Sequence, residues 1–483
     1  MNSGLLALLA GPFAALGIAF GLDLPDHPHA PAMLGIAAWM AIWWISECVP
    51  IAFTAMIPLF AFPLSGVVEA RILAPKYMNS IIFLFIGGFL IAQALESSGL
   101  HKRLALALLS RLQASPMQLA LGFAVATAFL SMWISNTATA LLMVTIAVPI
   151  LNRMGEERGN KAMQPVAVAF LLTIAYSANI GGMGTPVGTP PNLVFLETVN
   201  AMAPAMAPSF LQWMMLGVPM SLAGLAVLFF FLRPRLAGLD WRPSDVSMLQ
   251  RERQALGPMR REEKIVAWVL GLTALAWMSR KGIQTDAFNI PGWASLLPYK
   301  GVDDGTVAIF GAAWLFLLRG NDGRPVLGGS ALNRLPWDIV MLFGGGFALA
   351  FGMQHSGAST WLGGQMGFFT VLPLPLMMLG IALSMTFLTE ITSNTAITQV
   401  MLPILAAAAL TNDMDLLMIL LPATLSASCA FMLPVATPPN AIVFGTHQVP
   451  MKEMIRTGIR LNLTMAVVVV TLVWLLRPLL GGS

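Results

Sequence analysis

The sequence SMWISNTAT occupies residues 131–139, inside a stretch of otherwise apolar residues that runs from 119 to 151. A helix needs about 20 residues to cross the hydrocarbon of a bilayer, so this stretch is too long for one crossing. Non-helical backbone is tolerated at membrane depth only where it is buried in protein or lines a watery cavity. The polar cluster therefore predicts the tip of a helical hairpin that enters the membrane and turns back.

The composition of the whole chain supports a membrane setting. Of its 483 residues, 57% are hydrophobic and 10% are Asp, Glu, Lys or Arg, whereas a soluble domain carries about 25% charged residues. Too little charge is available to cover the surface of a soluble protein of this size, which excludes soluble enzyme folds. The net charge of +4 fits basic cytoplasmic loops and implies no nucleic-acid partner.

The apolar stretches predict an all-α polytopic membrane protein with about eleven transmembrane helices and two re-entrant helical hairpins. Residues 21–31 contain two Asp and no Lys or Arg, so this loop is expected outside the cell. Arg153, Arg158, Lys161 and the polar segment 233–264 are expected in the cytoplasm. We expect a multi-pass protein of the bacterial inner membrane, in contact with lipid.

Two halves of the chain share the same landmarks in the same order. The sequence FIGGF at 85–89 resembles FGGGF at 343–347, Ser-Asn-Thr at 135–137 recurs at 393–395, and Thr-Pro-Pro-Asn at 189–192 recurs at 437–440. The first two pairs are each 258 residues apart and the third is 248 apart. Duplicated halves of this length are typical of secondary transporters, and an odd number of crossings between the copies predicts an inverted repeat.

Both Thr-Pro-Pro-Asn motifs are expected to interrupt a membrane helix. Two adjacent prolines remove two backbone donors and clash with the preceding turn, and the sequence GGMG at 181–184 loosens the first copy further. The resulting broken helix exposes carbonyl groups that suit Na⁺, while the N-terminus of its second half suits an anion.

No Arg or Lys occurs in the repeated motifs, although protein sites for anions commonly use Arg. Hydroxyls, amides and helix ends would leave a doubly charged anion poorly compensated in a low dielectric. Bound cations could supply the missing positive charge. This predicts obligate coupling, in which the anion binds well only after the cations do.

These paired motifs, together with WWISECVP at 43–50, resemble the divalent anion/sodium symporter (DASS) family over nearly the whole chain. The resemblance implies a homodimeric elevator-type symporter that imports a C4 dicarboxylate such as succinate, malate or fumarate. It also implies scaffold helices at 1–111 and 265–370, a transport domain formed by 112–232 and 371–483, and a cytoplasmic loop at 233–264. Ser46, Cys48 and Val49 depart from the usual family form of the early motif, which barely affects the assignment of the site.

Carried over by motif, the resemblance implies two groups of site residues. The substrate would contact the two hairpin tips and both proline motifs, through Ser135, Asn136, Thr137, Thr189, Pro190, Ser393, Asn394, Thr395, Thr437 and Pro438. Two or more sodium ions would be co-transported, one bound by Ser131, Ser135, Asn136 and Gly188, and another by Thr389, Thr392, Asn394 and Ala436.

Several alternatives stay open from the sequence. The same architecture could exchange anions without sodium or carry sulfate, citrate or 2-oxoglutarate. An anion channel or a membrane enzyme ranks last, because no nucleophile–base pair or metal cluster is evident. Glu390 precedes the second cluster and has Met132 at the matching position of the first. It is expected either as a structural partner or as a residue that tunes sodium binding.

Overall fold

The computed structural model describes residues 3–112, 114–237, 247–284, 289–299, 301–365 and 372–480. This part of the chain is predominantly helical, with one antiparallel pair of short strands, β1 (Gly282–Gln284) and β2 (Asn289–Pro291). The α-helices are, in chain order, α1 (Ser3–Gly21), α2 (Ala30–Ser46), α3 (Ile51–Ala55), α4 (Ile57–Ser65), α5 (Ala70–Leu73), α6 (Ser80–Ser97), α7 (Leu100–Leu109), α8 (Pro116–Ser131), α9 (Asn136–Arg158), α10 (Asn160–Gly182), α11 (Pro190–Met202), α12 (Phe210–Leu232), α13 (Ser247–Ala255), α14 (Arg261–Ser279), α15 (Asp304–Leu317), α16 (Ser330–Asn333), α17 (Trp337–His355), α18 (Ala358–Gln365), α19 (Leu374–Thr389), α20 (Asn394–Thr411), α21 (Leu416–Ala427), α22 (Pro438–Phe444) and α23 (Met451–Leu476).

Within the described residues, eight helical segments are long and apolar enough to cross a membrane, and six shorter helices of 10–17 residues are also apolar. The all-α, multi-pass architecture predicted from composition is therefore confirmed. The number of eleven crossings stays a prediction, because several of these helices are arms of hairpins or halves of interrupted helices.

Two helical hairpins lie where the Ser-Asn-Thr clusters predict them. Helices α8 and α9 are separated by residues 132–135, and α19 and α20 by residues 390–393. Each second arm begins with a serine cap, because Ser135 Oγ accepts the Ala138 N–H at 3.2 Å and Ser393 Oγ accepts the Ala396 N–H at 3.4 Å. A side-chain cap of this kind satisfies one of the amide groups left free where a helix begins.

Two interrupted helices lie where the Thr-Pro-Pro-Asn motifs predict them. The chain leaves the helix at Gly182 and re-enters it at Pro190, and it does so again between Ala427 and Pro438. We call residues 183–189 the first break and residues 428–437 the second break. In both copies the two prolines occupy the first two positions of the new helix, where a missing N–H costs no hydrogen bond.

The asparagine of each motif holds its own break together. Asn192 Nδ2 donates to the carbonyl groups of Gly182 at 3.0 Å and Thr185 at 2.8 Å. Asn440 Nδ2 makes the equivalent bonds, at 3.0 Å each, to the carbonyl groups ten and seven residues before it. Some of the carbonyl groups that the proline motifs were expected to free are therefore occupied by an amide.

The duplication extends into the helices that follow the breaks. A Cβ atom at Gly217 of α12 would lie 2.5 Å from the Met183 carbonyl oxygen, and one at Gly458 of α23 would lie 2.5 Å from the Phe431 carbonyl carbon. Only glycine permits so close an approach of a helix to the backbone of a break. The order hairpin, interrupted helix and final helix therefore occurs twice, while the inverted orientation of the copies stays a prediction.

The core lies around α10, whose residues from 166 to 182 are all buried. A second buried cluster joins α2, α3, α4 and α17. The N-terminal helix α1 packs against α2 and leaves large side chains exposed, among them Phe13 at 68% and Phe20 at 88%. An apolar outer face of this kind is what a lipid-embedded protein presents to hydrocarbon.

The polar segment 233–264 is more structured than the expected cytoplasmic loop. Its described part contains α13 and the start of α14, and residues 238–246 lie outside the described part. Glu263, only 1% exposed, pairs with both Arg103 Nε at 3.0 Å and Arg103 Nη2 at 3.1 Å, and Lys102 Nζ pairs with Glu252 at 2.7 Å. These ion pairs attach the segment to α7. The expected domain boundary at 370 also falls outside the described residues.

The asparagine bonds yield a stability prediction. Asn440→Ala leaves the buried Ala430 carbonyl and the partly buried Leu433 carbonyl without this donor, and loss of the buried bond should cost about 1–3 kcal/mol. We expect a lower apparent melting temperature for the full-length protein in detergent, and the same direction for Asn192→Ala. Thr471→Ala is the control, because that exposed hydroxyl bonds only its own helix at 2.8 Å. A melting temperature for Asn440→Ala equal to that of the control would contradict the assigned role.

Candidate functional site

A cavity of about 730 Å³ lies where the two hairpin tips and the two proline motifs meet. The cavity is lined by all ten residues that the sequence suggested as substrate contacts: Ser135, Asn136, Thr137, Thr189, Pro190, Ser393, Asn394, Thr395, Thr437 and Pro438. Residues 258 positions apart thus line one space. The cavity is also bordered by side chains from α2, α6 and α17, including Phe85 and Phe89 of the first FIGGF landmark.

Four helices begin at this cavity. Helices α9 and α20 start directly after Ser135 and Ser393, and α11 and α22 start directly after Thr189 and Thr437. The N-terminus of a helix carries partial positive charge. The arrangement therefore creates a positive potential in the cavity from backbone dipoles alone.

The free amide donors come from the hairpins and not from the broken helices. The N–H groups of the first helical residues, Asn136 and Thr137 in α9 and Asn394 and Thr395 in α20, have no acceptor within their own helix. In α11 and α22 the same two positions are prolines, which have no N–H. The second halves of the broken helices can therefore attract an anion through their dipoles, but their first two residues have no N–H group to donate to it.

Charged side chains are almost absent from the cavity wall. Among the described lining residues, Glu47 is ionisable, and none is Lys, Arg or His. Glu47 ends α2 with a left-handed backbone, φ 47°, and its side chain is exposed. Neutral hydroxyls, amides and backbone N–H groups are therefore the donors that the described wall offers to a ligand.

The residues expected at the first sodium site lie close together. Ser131 is fully buried beneath the first hairpin tip, and its Oγ lies 2.5 Å from Asn136 Oδ1 and 2.7 Å from the Ala178 carbonyl oxygen. A Cβ atom at Gly182 would lie 2.8 Å from Asn136 Oδ1 and 3.2 Å from the Gly188 carbonyl oxygen. Two oxygen atoms, Asn136 Oδ1 and the Gly188 carbonyl oxygen, therefore lie beside Gly182, and Ser131 Oγ contacts the first of them. Na⁺ is a hard cation, which prefers oxygen ligands of this kind.

The residues expected at the second sodium site are less closely joined. Thr389 Oγ1 donates to the Thr386 carbonyl at 3.0 Å, and Thr392 Oγ1 donates to the Leu388 carbonyl at 2.7 Å, so both hydroxyls bond carbonyl groups of α19. Asn394 Oδ1 is buried and has no hydrogen-bond partner among the described residues. A buried carbonyl oxygen without a donor is costly, and a bound cation would satisfy it. The chemistry of this donor set fits Na⁺.

Two polar residues near the cavity were not assigned a role from the sequence. Asn179 lines the cavity, and its Nδ2 donates to Thr437 Oγ1 at 3.0 Å across 258 residues of sequence. Thr185 Oγ1 donates to the Met132 carbonyl at 2.6 Å and ties the first break to the first hairpin tip. A single amide in the apolar stretch before GGMG was the available signal for Asn179.

Glu390 lies outside the cavity lining and is 3% exposed. Its carboxylate accepts hydrogen bonds from the second break and from Asn462 of α23. Of the two roles left open by the sequence, the structure shows a structural partner.

Comparison with known proteins places this geometry in a family. The model for the sodium:sulfate symporter transmembrane region matches residues 6–481. The sodium-dependent dicarboxylate transporter SdcS of Staphylococcus saprophyticus is 36% identical over 98% of this chain and 91% of the relative. SdcS of Staphylococcus aureus strain USA300 is 35% identical over 99% of this chain and 92% of the relative.

Among solved structures, the fold is similar to that of the YdaH transporter of Alcanivorax borkumensis. The TM-score is 0.55 at 14% sequence identity, over 86% of this chain and 90% of that chain. At this identity the likeness concerns the fold alone. The full-length family match confirms the resemblance drawn from the paired motifs, and this chain belongs to the sodium:sulfate symporter family of membrane transporters, the group of the divalent anion/sodium symporters.

Proposed function

We propose that this protein is a sodium-coupled symporter that imports a C4 dicarboxylate, such as succinate, malate or fumarate, across the bacterial plasma membrane. The observation that carries the proposal is the cavity between two copies of the same hairpin tip, whose described wall has no basic side chain. Full-length relatives named as sodium-dependent dicarboxylate transporters support the same substrate and the same coupling.

The repeated tips suit an anion with two like ends. Ser135, Asn136 and Thr137 would bind one carboxylate through hydroxyl, amide and backbone N–H groups, and residues 393–395 would bind the other in the same way. The threonines and prolines at 189–190 and 437–438 would form the walls between them. A cavity of about 730 Å³ has room for such a molecule together with water.

Sodium binding is proposed at two or more positions, directly below the two tips. The first would use Ser131, Ser135, Asn136 and the Gly188 carbonyl. The second would use the matching residues of the other repeat: Thr389, Thr392, Asn394 and the Ala436 carbonyl. An asparagine side chain has both an acceptor oxygen and a donor NH₂ group. Asn136 and Asn394 could each bind Na⁺ through oxygen and a carboxylate through nitrogen, which would couple the two ligands.

The transport domain is proposed to comprise 112–232 and 371–483 and to move as one body against the scaffold helices at 1–111 and 265–370. Bonds between the repeats support a single body. Asn179 donates to Thr437, and Gln448 Nε2 donates to Asn152 Oδ1 at 2.8 Å. The elevator motion and a homodimeric assembly are the arrangement that the family resemblance suggests for this division.

Transport tests this function directly. Uptake of labelled succinate into proteoliposomes should require an inward sodium gradient and fall to background when choline replaces sodium, because the cavity lacks its own cationic charge. Equal uptake in choline would contradict symport. Uptake of sulfate or citrate in place of succinate would contradict the substrate class. Voltage-driven anion current without sodium would indicate a channel.

Gly182→Ala tests the first sodium site without altering a proposed ligand. The added methyl group would enter the space between Asn136 and the Gly188 carbonyl. We expect the sodium concentration for half-maximal succinate uptake to rise about tenfold or more, the change that ~1.4 kcal/mol of lost binding makes.

The matched control is Gly380→Ala in α19, where a Cβ atom would meet no heavy atom within 4 Å. Its sodium requirement should equal that of the unmodified protein. If Gly182→Ala also kept the normal sodium requirement, the space beside Gly182 would not be a sodium site.

A further inference from the structure

A carboxylate–amide clamp joins the second hairpin to the second break. Glu390 directly follows α19, and its Oε1 accepts the backbone N–H groups of Phe431 at 2.7 Å and Met432 at 2.8 Å. Its Oε2 accepts the Leu433 N–H at 3.0 Å, and Asn462 Nδ2 donates to Oε1 at 2.7 Å. Three successive backbone amides directed at one anion are an arrangement that binds negative charge.

The first repeat makes the corresponding junction without a charge. Met132 stands at the position that matches Glu390, and its backbone carbonyl accepts a hydrogen bond from Thr185 Oγ1 of the first break. The amides of the first break bond locally instead, from Met183 to the Ile180 carbonyl at 3.3 Å and from Gly184 to the Gly181 carbonyl at 2.8 Å. The carboxylate therefore replaces turn hydrogen bonds of the backbone in the second repeat alone.

Helix α23 packs against the second break and also donates a hydrogen bond to Glu390. Gly458 packs so closely on the second break that a Cβ atom there would lie 2.6 Å from the Met432 Cα. One turn later, Asn462 is fully buried and reaches Glu390. Among the described residues no Lys or Arg forms an ion pair with Glu390, whose hydrogen bonds come from neutral N–H donors. This junction of the second repeat thus contains a buried carboxylate that the matching junction of the first repeat lacks.

We propose that Glu390 is a positioning residue for the second sodium site and makes the two sodium sites unequal. By fixing residues 431–433 against the second hairpin, Glu390 determines where the following chain places the Ala436 carbonyl. It thereby determines how far that carbonyl lies from Asn394. Its unpaired charge favours a cation nearby in a low dielectric. Sodium therefore binds at the second site more tightly than at the first. This inference rests on the proposed sodium-coupled function.

The test compares sodium binding without substrate and sodium dependence with substrate. For the purified full-length protein, the sodium concentration that gives half-maximal thermal stabilisation is measured in the absence of any dicarboxylate. For the same protein in proteoliposomes, the sodium concentration for half-maximal succinate uptake and the succinate KM at saturating sodium are measured. The variants are Glu390→Gln, which removes the charge at nearly constant shape, and Glu390→Met, which copies the first repeat.

We expect both variants to raise the two sodium concentrations about tenfold, while the succinate KM at saturating sodium changes less than about twofold. Glu197→Gln is the control, because that half-buried carboxylate of α11 neither lines the cavity nor bonds the second break. It should leave both sodium concentrations unchanged. An unchanged sodium requirement in Glu390→Gln, or a raised succinate KM at a normal sodium requirement, overturns the inference.

Two further results keep this inference separate from the function it rests on. If the unmodified protein is stabilised by sodium but does not transport succinate, the substrate assignment is wrong. The effect of the Glu390 variants on stabilisation by sodium still tests the role of Glu390. If both Glu390 variants fail to fold, Asn462→Ala removes one of the four donors and keeps the carboxylate. It should raise the sodium concentration for half-maximal stabilisation about threefold, and no change would overturn the clamp.

Discussion

An anion that crosses the bilayer inside a protein must be held where water is scarce, and here it must be held without a basic side chain. The cavity between the hairpin tips provides helix dipoles, amides and hydroxyls, and its described wall contains no Lys, Arg or His. These groups orient a dianion but do not neutralise it. We propose that the oxygen-bearing groups behind the hairpin tips and in the breaks meet this requirement by binding sodium beside the anion.

The duplicated hairpin tips and breaks give the cavity its geometry. The two repeats also differ at specific contacts. The asparagines at 192 and 440 hold their breaks through bonds at identical spacings. The junction between hairpin and break differs, because a threonine hydroxyl serves one half and Glu390 serves the other. A symmetric pair of tips suits a substrate with two like ends, and the proposed inequality of the sodium sites would suit an ordered sequence of binding.

Local sequence predicted much of this architecture. Apolar stretches interrupted by Ser-Asn-Thr led to the hairpins, because polar residues in a stretch too long for one crossing need a turn. Adjacent prolines led to the breaks, because they can begin a helix but cannot continue one. The structure places the ten suggested substrate residues in one cavity. The assignment of these residues to substrate or sodium stays a prediction.

The roles of Asn179, Glu390 and Asn192 could not be predicted, and two of them depend on partners far away in the chain. Asn179 meets Thr437 across 258 residues, and Glu390 meets Phe431 across 41. Asn192 bonds carbonyl groups within ten residues, yet its motif alone did not show whether it would bind a ligand or backbone. The attachment of the 247–264 segment to α7 was missed for the same reason, because a run of charges does not reveal its partners.

We propose that sodium supplies the positive charge that the described cavity wall lacks. Titration of the purified protein with succinate at a series of sodium concentrations, with constant ionic strength maintained by choline, measures this dependence without a membrane. We expect the affinity for succinate to rise steeply with sodium, with a logarithmic slope of about two or more if two or more ions bind with the anion. An affinity for succinate that is the same in choline as in sodium would contradict the account.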